Sequence, residues 1–208
     1  MLPNLTAVTP WLNHPELADD YWEAISQAGP GVVALVIDNG SDPPLPNAHR
    51  LEYNAGFSEA SNIGLRLATT DAVLFLNNDI ACSARWWAQP IREALEPGVL
   101  VGCKLRFDAH GDVDGQQFPY LDGWCLAGMT DDLRALGGFD ESFQEPAYYS
   151  DNDLCFRARL EGMVLREVPV GLVHKGGQTT QANGYVLPQT AHNRGLFEHR
   201  VREELSNA

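Results

Sequence analysis

The chain of 208 residues carries 14 Lys and Arg against 28 Asp and Glu, which gives a formal net charge of −14. Such an acidic surface repels phosphate backbones and anionic membranes, so the sequence argues against non-specific nucleic-acid binding. With 44% hydrophobic and 20% charged residues, the composition is typical of a globular protein that can bury a sizeable core. We therefore expect a single domain over residues 1–208.

The sequence gives no sign of a membrane or secretory segment. No stretch reaches the roughly 20 apolar residues of a membrane span, and the N-terminus MLPNLTAVTP lacks the basic start of a signal peptide. We expect a soluble, cytoplasmic protein without membrane insertion. The cysteines are scattered without a Cys-x-x-Cys pair, which predicts buried free thiols and not a zinc site or disulfide framework; they are Cys82, Cys103, Cys125 and Cys155.

Strand and helix patterns alternate through the first half of the chain. Two uninterrupted apolar runs of strand length predict strands that are covered on both faces, and apolar residues recurring every three or four positions predict helices between them. The predicted elements are a strand at Leu5–Val8, a helix starting at Pro15, a strand at Val32–Ile37, a helix from about Phe57, a strand at Ala72–Leu76 and a helix from about Ala84 to Glu96. This alternation predicts a parallel α/β arrangement.

The second half is less regular. We predict a strand at Val99–Phe107, a loop or hairpin at Asp108–Gln117, a strand at Trp124–Met129, a short helix capped by Thr130 and ended by Gly137-Gly138, a helix at Asn152–Leu160, strands near Val164–Val168 and Gly171–His174, and an amphipathic helix from about Ala191 to Leu205. These assignments rest on turn residues, caps and apolar periodicity.

Two buried strands are followed directly by polar clusters, Asp38-Asn39-Gly40-Ser41 and Asn77-Asn78-Asp79. Because ligands of such sheets bind beyond the carboxyl ends of the strands, we expect the two clusters to converge on one edge. A carboxylate such as Asp79 beside amide oxygens suits Mg²⁺ or Mn²⁺. Simple turn formation explains either cluster equally well.

Further candidate residues lie near the ends of later elements. Asp151 and Asp153 stand two positions apart at a predicted helix start, where an N-cap accounts for one of them and a general base for the other. His174 ends a predicted strand, and Lys175 with two glycines follows it, so the backbone there can approach an anionic ligand. A lone histidine is more often structural, so a functional role for His174 is indicated only by the residues around it.

Six motifs recur in a characteristic order. They are Asp38-Asn39-Gly40-Ser41, Asn54-Ala55-Gly56-Phe57 with Asn62 and Gly64, Leu74-Phe75-Leu76-Asn77-Asn78-Asp79, Gly137-Gly138-Phe139-Asp140-Glu141, Asp151-Asn152-Asp153-Leu154-Cys155-Phe156-Arg157 and the His174 segment. Together, from about Leu5 to Gly177, they resemble family two glycosyltransferases of the GT-A fold. The resemblance implies a Rossmann-like, mixed but mostly parallel central sheet with helices on both faces.

The resemblance also implies a function and a set of site residues. It implies a hexosyltransferase-type enzyme that uses Mn²⁺ or Mg²⁺ to transfer a sugar from a nucleotide diphosphate donor with inversion. Among such donors, the resemblance favours a UDP-sugar. Residues 1–100 would bind the donor, 101–180 would hold the acceptor and catalytic groups, and 181–208 would form a helical tail. The implied roles are donor binding by Thr9, Pro10, Asp38, Asn39, Asn54, Asn62, Asn77, Asn78 and Lys175, metal binding by Asp79 and His174, general-base catalysis by Asp151, and an acceptor pocket at Gly123, Trp124 and Asp153.

Two departures from the family pattern keep alternatives open. Asn77 replaces the first acidic residue of the family's Asp-x-Asp, and Ser150 replaces the glutamate before the base, so Asp153 competes with Asp151 for that role. A catalytically silent nucleotide-sugar-binding module is one alternative. A sugar nucleotidyltransferase is another, although Leu5–Leu12 lacks the glycine-rich basic loop those enzymes need. The acceptor could be a saccharide, a protein or a modified base.

Overall fold

The computed structural model describes residues 1–176 and 188–207. Its strands are β1 (Leu5–Trp11), β2 (Val32–Asn39), β3 (His49–Leu51), β4 (Ala72–Leu76), β5 (Ile80–Cys82), β6 (Val99–Gly102), β7 (Leu105–Arg106), β8 (Asp112–Val113), β9 (Gln116–Gln117), β10 (Tyr120–Leu121), β11 (Cys125–Met129), β12 (Val164–Glu167) and β13 (Leu172–His174). The helices are α1 (Ala18–Ser26), α2 (Gly56–Leu67), α3 (Gln89–Ala94), α4 (Thr130–Ala135), α5 (Ser150–Leu160) and α6 (Pro188–Asn207). Gly177 and the predicted boundary at residue 180 lie outside the described residues.

A seven-stranded sheet in the order β12-β6-β11-β4-β1-β2-β3 forms the centre of the molecule. Every neighbouring pair is parallel except those made by β11, which runs antiparallel to both β4 and β6. The expected mixed, mostly parallel sheet is therefore confirmed. Three two-stranded ribbons stand beside it, and the one that pairs β5 with β13 carries part of the site described below.

Helices cover both faces of this sheet, because successive strand residues point to opposite sides. On β4, Leu74 packs into a core with Tyr21 of α1 and Ile91 of α3. Its neighbour Phe75 packs on the other face with Leu65 of α2, and α4 and α5 contribute to that same second core. This explains why the strand reads as a continuous apolar run and why its five residues are all buried.

Several predicted boundaries differ from the structure. The helix expected from Ala84 to Glu96 is confined to α3, because Pro90 occupies its first turn, where the missing N–H breaks no helical hydrogen bond, and does not kink a longer helix. The strand expected at Val99–Phe107 is split into β6 and β7. Thr130 is the first residue of α4 and not its cap, and its hydroxyl donates to the carbonyl of Thr70.

The last helix packs back onto the domain. Phe197 and Val201 of α6 are buried in a third apolar cluster with Tyr149 and Phe156, and the predicted hairpin at 108–117 forms with Val113 in the same cluster. Among the described residues, no helix is both long enough and apolar enough to cross a membrane.

Candidate active site

A cavity of about 1060 Å³ opens beyond the carboxyl ends of β1, β2 and β4. This is the edge at which the two polar clusters were expected to meet. Residues singled out from the sequence that line it are Pro10, Asn39, Asn54, Asn77, Asn78, Asp79, Gly123, Trp124, Asp151 and His174. The fold thus gathers groups that are up to 164 positions apart in the chain.

Asp79 and His174 meet at one wall of the cavity. Asp79 follows β4 and leads into β5, and the antiparallel ribbon pairs Ile80 with His174, so the two side chains are adjacent. His174 Nε2 lies 2.9 Å from Asp79 Oδ1 and 3.2 Å from Asn77 Nδ2. A carboxylate and an imidazole nitrogen thus face one point, which is a donor set that suits Mn²⁺.

A tryptophan fixes the orientation of this histidine. The rings of Trp124 and His174 stack with centroids 4.7 Å apart and an interplanar angle of 10°. The carbonyl of Trp124 also accepts the backbone N–H of Asn77 at 2.9 Å. Since packing and neighbouring hydrogen bonds hold metal-binding histidines in place, Trp124 is placed to orient His174.

Asp151 occupies the first turn of α5 and also lines the cavity. Its Oδ2 accepts the backbone N–H of Gly123 at 2.9 Å, and its Oδ1 accepts that of Asn152 at 3.0 Å. Burial raises the pKa of Asp151 to about 6, with a smaller contribution from the charge of Asp122 and opposition from these hydrogen bonds. A carboxylate with such a pKa is ionised near neutral pH and still basic enough to take a proton.

The absence of a side chain at Gly123 lets Asp151 of α5 lie close to the backbone at this position. A Cβ atom at position 123 would lie 3.0 Å from Asp151 Cβ and 3.3 Å from Asp151 Oδ2, so a side chain there would push the carboxylate away. The segment Gly123-Trp124 therefore touches Asp151 with one residue and His174 with the next.

Amide side chains form hydrogen bonds in the part of the cavity next to the carboxyl end of β2. Asn39 Nδ2 donates to Asn54 Oδ1 at 2.9 Å and to the carbonyl of Gly56, while its Oδ1 accepts the N–H of Ala55 at 2.7 Å. The loop before α2 is thus tied to the end of β2. Both asparagines still line the cavity.

The structure does not bring every predicted residue to the cavity. Asp38 is completely buried, and its carboxylate accepts hydrogen bonds from Ser41 and Leu45 and pairs with Arg50 at 2.7 Å. Burial acts to raise its pKa, but these hydrogen bonds outweigh it and the pKa is lowered. Asp38 therefore holds the loop after β2 and does not line the cavity, and its role in donor binding stays a prediction.

The other predicted residues outside the cavity lining are also engaged in the fold. The Thr9 hydroxyl bonds the buried Tyr21 hydroxyl, and the Asn62 amide bonds both backbone groups of Phe139. Asp153 is completely buried and pairs with two arginines, while Lys175 pairs with Asp20. These four residues do not line the cavity, and their proposed contacts with donor or acceptor stay predictions.

The cavity also contains groups that the sequence reasoning missed. Glu145 lines it and accepts the backbone N–H of Phe57 at the start of α2, and burial raises the pKa of this carboxyl. Lys104, Tyr120 and Asp122 line the wall near Asp151. Their elements are two-residue strands or loops, so no periodicity in the sequence marked them.

One cavity residue has unused hydrogen-bonding capacity. Within the described part of the chain, the buried Nδ2 of Asn78 has no hydrogen-bond acceptor. Leaving such a donor unpaired costs about 1–3 kcal/mol, so a ligand oxygen at this position would be favoured.

Known structures share this architecture. A mannosyltransferase from Pyrobaculum calidifontis in complex with GDP-Man and Mn²⁺ superposes with a TM-score of 0.65 at 17% identity, covering 95% of this chain and 70% of that one. GalNAc-T7 with UDP, GalNAc and Mn²⁺ gives a TM-score of 0.64 at 13% identity, covering 83% and 43%. The fold is the GT-A fold of glycosyltransferases.

The sequence itself places the chain more narrowly. The model of glycosyl transferase family 2 matches residues 8–136, more than half of the chain. The chain therefore belongs to glycosyltransferase family 2. It is also 28% identical to the pre-mycofactocin glycosyltransferase of Mycobacterium tuberculosis, over 69% of this chain and 37% of that protein. The chain thus spans less than half the length of the curated relatives it matches.

Proposed function

We propose that the chain transfers a sugar from a nucleotide diphosphate donor to an acceptor hydroxyl with inversion at the anomeric carbon, with Mn²⁺ or Mg²⁺ as cofactor. A uridine diphosphate sugar is the first donor to test. The observation that carries this proposal is the presence, in one cavity, of the Asp79–His174 pair and of Asp151 with its raised pKa. The Asp79–His174 pair can hold a metal ion that stabilises the leaving diphosphate, and Asp151 can take the proton of the attacking hydroxyl.

Asp79 and His174 fit a divalent ion whose remaining ligands come from the donor. Among the described residues, no cluster of three or more His, Cys, Asp or Glu side chains could hold a metal alone. Mg²⁺ and related ions are commonly held by one or two protein groups plus substrate phosphates, and Asp79 with His174 supplies that number. When bound, the ion would neutralise the charge that develops on the departing diphosphate.

The donor half of the proposal rests on the amide-rich wall. Asn39, Asn54 and Asn78 place neutral amide groups in the cavity wall, and Asn78 has a donor without a partner among the described residues. Neutral amides can bind ribose hydroxyls, base edges or phosphate oxygens without adding to the net charge of the protein. We assign donor binding to residues 1–100 on this basis, with Pro10 and Trp11 forming the apolar surface beside these amides.

The acceptor half rests on Asp151 and its neighbours. The Asp151 carboxylate is held by two backbone N–H groups, so its position is fixed before the acceptor arrives. From there it can accept the proton of an incoming hydroxyl as the new glycosidic bond forms. Tyr120 and Tyr148 also line this part of the cavity and offer aromatic faces to an acceptor. The similarity to a pre-mycofactocin glycosyltransferase adds pre-mycofactocin to the saccharides, proteins and modified bases that should be tested as acceptors.

Binding of nucleotides tests the donor assignment directly. We would measure the melting temperature with UDP, GDP, dTDP and their sugar conjugates, each with EDTA, Mg²⁺ or Mn²⁺. A stabilising nucleotide diphosphate that requires the metal is expected, because a ligand that binds the folded state raises its melting temperature. Asp79→Asn should remove the metal-dependent part of this shift, while Asp71→Asn, at a carboxylate outside the cavity, serves as the matched control.

The outcomes separate the alternatives. Equal shifts with and without metal in both wild type and Asp79→Asn would contradict the metal assignment. Binding of a nucleotide sugar without release of the nucleotide, for every acceptor tried, would favour the silent binding module. Turnover with retained anomeric configuration, read by proton NMR, would contradict a single inverting displacement by Asp151.

A further inference from the structure

Two of the four cysteines lie opposite each other beside the cavity. Antiparallel pairing of β6 with β11 places Gly102 opposite Leu126. Continuing this register by one residue places Cys103, just after β6, opposite Cys125, the first residue of β11. Both residues pack in the same apolar core, and the neighbouring Cys103 thiol, together with burial, raises the pKa of the Cys125 thiol.

The geometry of this pair suits a covalent bond. Residues directly opposite on antiparallel strands have Cβ atoms about 4.5–5.5 Å apart. Disulfides need Cβ atoms about 3.5–4.5 Å apart, so a small approach of two strand ends is sufficient. Both thiols are free, Cys125 is completely buried, and Cys103 is partly exposed and lines the cavity. A small oxidant that enters the cavity therefore reaches Cys103 first.

We propose that Cys103 and Cys125 form a reversible disulfide when the protein meets a peroxide. The Cys103 thiolate attacks hydrogen peroxide, becomes a sulfenic acid and releases one hydroxide, which takes up the thiol proton as water. The Cys125 sulfur then displaces the hydroxyl group from the Cys103 sulfur, so that the S–S bond forms and a second water leaves. Two electrons pass from the two sulfurs to the peroxide, and a dithiol reductant reverses the change.

The bond would join two segments that shape the site. Cys103 precedes Lys104, whose carbonyl accepts the N–H of Asp122 at 3.0 Å, and Asp122 precedes the glycine that binds Asp151. Cys125 follows Trp124, whose ring stacks on His174. Drawing the two sulfurs together thus shifts backbone on both sides of the cleft. We infer that oxidation lowers sugar transfer, and this second step rests on the proposed function.

Peptide mapping tests the bond without any assay of activity. The full chain is treated with hydrogen peroxide under native conditions, alkylated, and digested with trypsin without reduction. Tryptic cleavage places each cysteine in its own peptide: residues 67–85, 93–104, 107–134 and 135–157. The expected product is 93–104 joined to 107–134, with the mass of the two peptides less two hydrogens, and it should disappear after dithiothreitol.

Cysteine variants provide the matched controls. Cys103→Ser and Cys125→Ser should each abolish the linked peptide, whereas Cys82→Ser should retain it, because Cys82 is partly exposed but bonds a carbonyl and has no cysteine opposite. Alkylated Cys103 and Cys125 after complete peroxide treatment would overturn the proposal. So would irreversible oxidation of Cys103 without linkage.

Sugar-transfer activity of the oxidised and reduced protein is measured in a separate experiment. Oxidised protein should lose transfer activity about tenfold or more and regain it on reduction, because a displacement of about 1 Å near reacting groups costs up to two orders of magnitude. A linked peptide with unchanged transfer would overturn the regulatory step and leave the disulfide standing. A linked peptide in a protein that binds no nucleotide would contradict the proposed function instead.

Discussion

At the scale of single residues, Asp151 is the group that we propose as the general base. Asp151→Asn keeps the shape of the side chain and one acceptor oxygen but removes the basic carboxylate. We expect transfer to fall by about 10²–10⁴-fold, the usual contribution of a general base. Donor affinity should stay within about twofold, since Asn39, Asn54 and Asn78, which we propose to bind the donor, lie on other segments of the chain. Single-turnover rates and nucleotide titrations of the variant give both values.

Asp153→Asn is the natural control for that variant. Asp153 pairs with Arg157 and Arg200, each at 2.8 Å, and lies outside the cavity lining. Its replacement leaves two arginines without their shared carboxylate, so the melting temperature should fall while transfer by the folded fraction continues. Loss of transfer in Asp153→Asn with an unchanged melting temperature would reverse the two assignments.

The pH dependence of transfer should report the raised pKa of Asp151. The base acts when ionised, so the rate should fall about tenfold per pH unit below about 6 and level off above it. Because the charge of Asp122 helps to raise this pKa, Asp122→Asn should move the acidic limb to lower pH. Initial rates from pH 4.5 to 8 at saturating donor test this. A rate that stays constant down to pH 5 would contradict the assignment.

At the scale of elements, α6 holds the loop that precedes Asp151. The buried Asn193 amide accepts the N–H of Gln144 at 2.9 Å and donates to its carbonyl at 2.7 Å. Asn193→Ala leaves both backbone groups unpaired, so we expect the free energy of unfolding to fall by about 1–3 kcal/mol. Urea denaturation measures the change. His192→Ala, at the exposed neighbouring position, should change it little, and equal effects of the two variants would argue against this contact.

Element-level geometry also explains which site residues the sequence could predict. Strand runs and helix faces followed from periodicity, and the placement of Asn77–Asp79 at a strand end followed from the predicted sheet, whereas the pairing of Asp79 with His174 came from the family resemblance. Asp38 and Asn39 are neighbours on a strand, so their side chains point to opposite sides, and no local signal says which one faces the ligand edge. The sheet places Asn39 in the cavity and Asp38 beneath it.

The choice between Asp151 and Asp153 was open for a similar reason. Residues two apart on a helix point about 200° apart, so only one of them can face the cavity. A signal was present, because Asp153 and Arg157 are four positions apart and form the ion pair expected at that spacing. Glu145 had no such signal, since its contact with Phe57 joins residues 88 positions apart.

At the scale of the whole molecule, the carboxylates predict an unusual pH dependence of stability. Burial is the largest cause of the raised pKa values of Asp151, Glu145 and Asp153. The stability that these groups contribute at low pH is therefore lost as the pH rises through their pKa values in the folded protein. Groups with lowered pKa values, such as Asp38 and Asp140, lose stability as pH falls below about 4.

We therefore expect the melting temperature to be highest between about pH 4 and 5 and to decline up to about pH 6.5, where Asp151 is largely ionised in the folded protein. Relief of self-repulsion in a chain of charge −14 acts in the same direction. Thermal unfolding between pH 3.5 and 8 measures the curve, and Asp151→Asn should flatten the decline between about pH 4 and 6.5. A melting temperature that rises over that interval would show that the buried carboxylates do not control stability.

The short segment Gly123-Trp124 has a consequence for how this enzyme can change. One residue holds Asp151 through its N–H, and the next stacks on His174 and holds Asn77 through its carbonyl. Substitutions of Asp151 and of His174 should therefore have non-additive effects, since groups with shared partners do not contribute independently. If the proposed roles hold, a mutation that changes donor preference should also change acceptor preference.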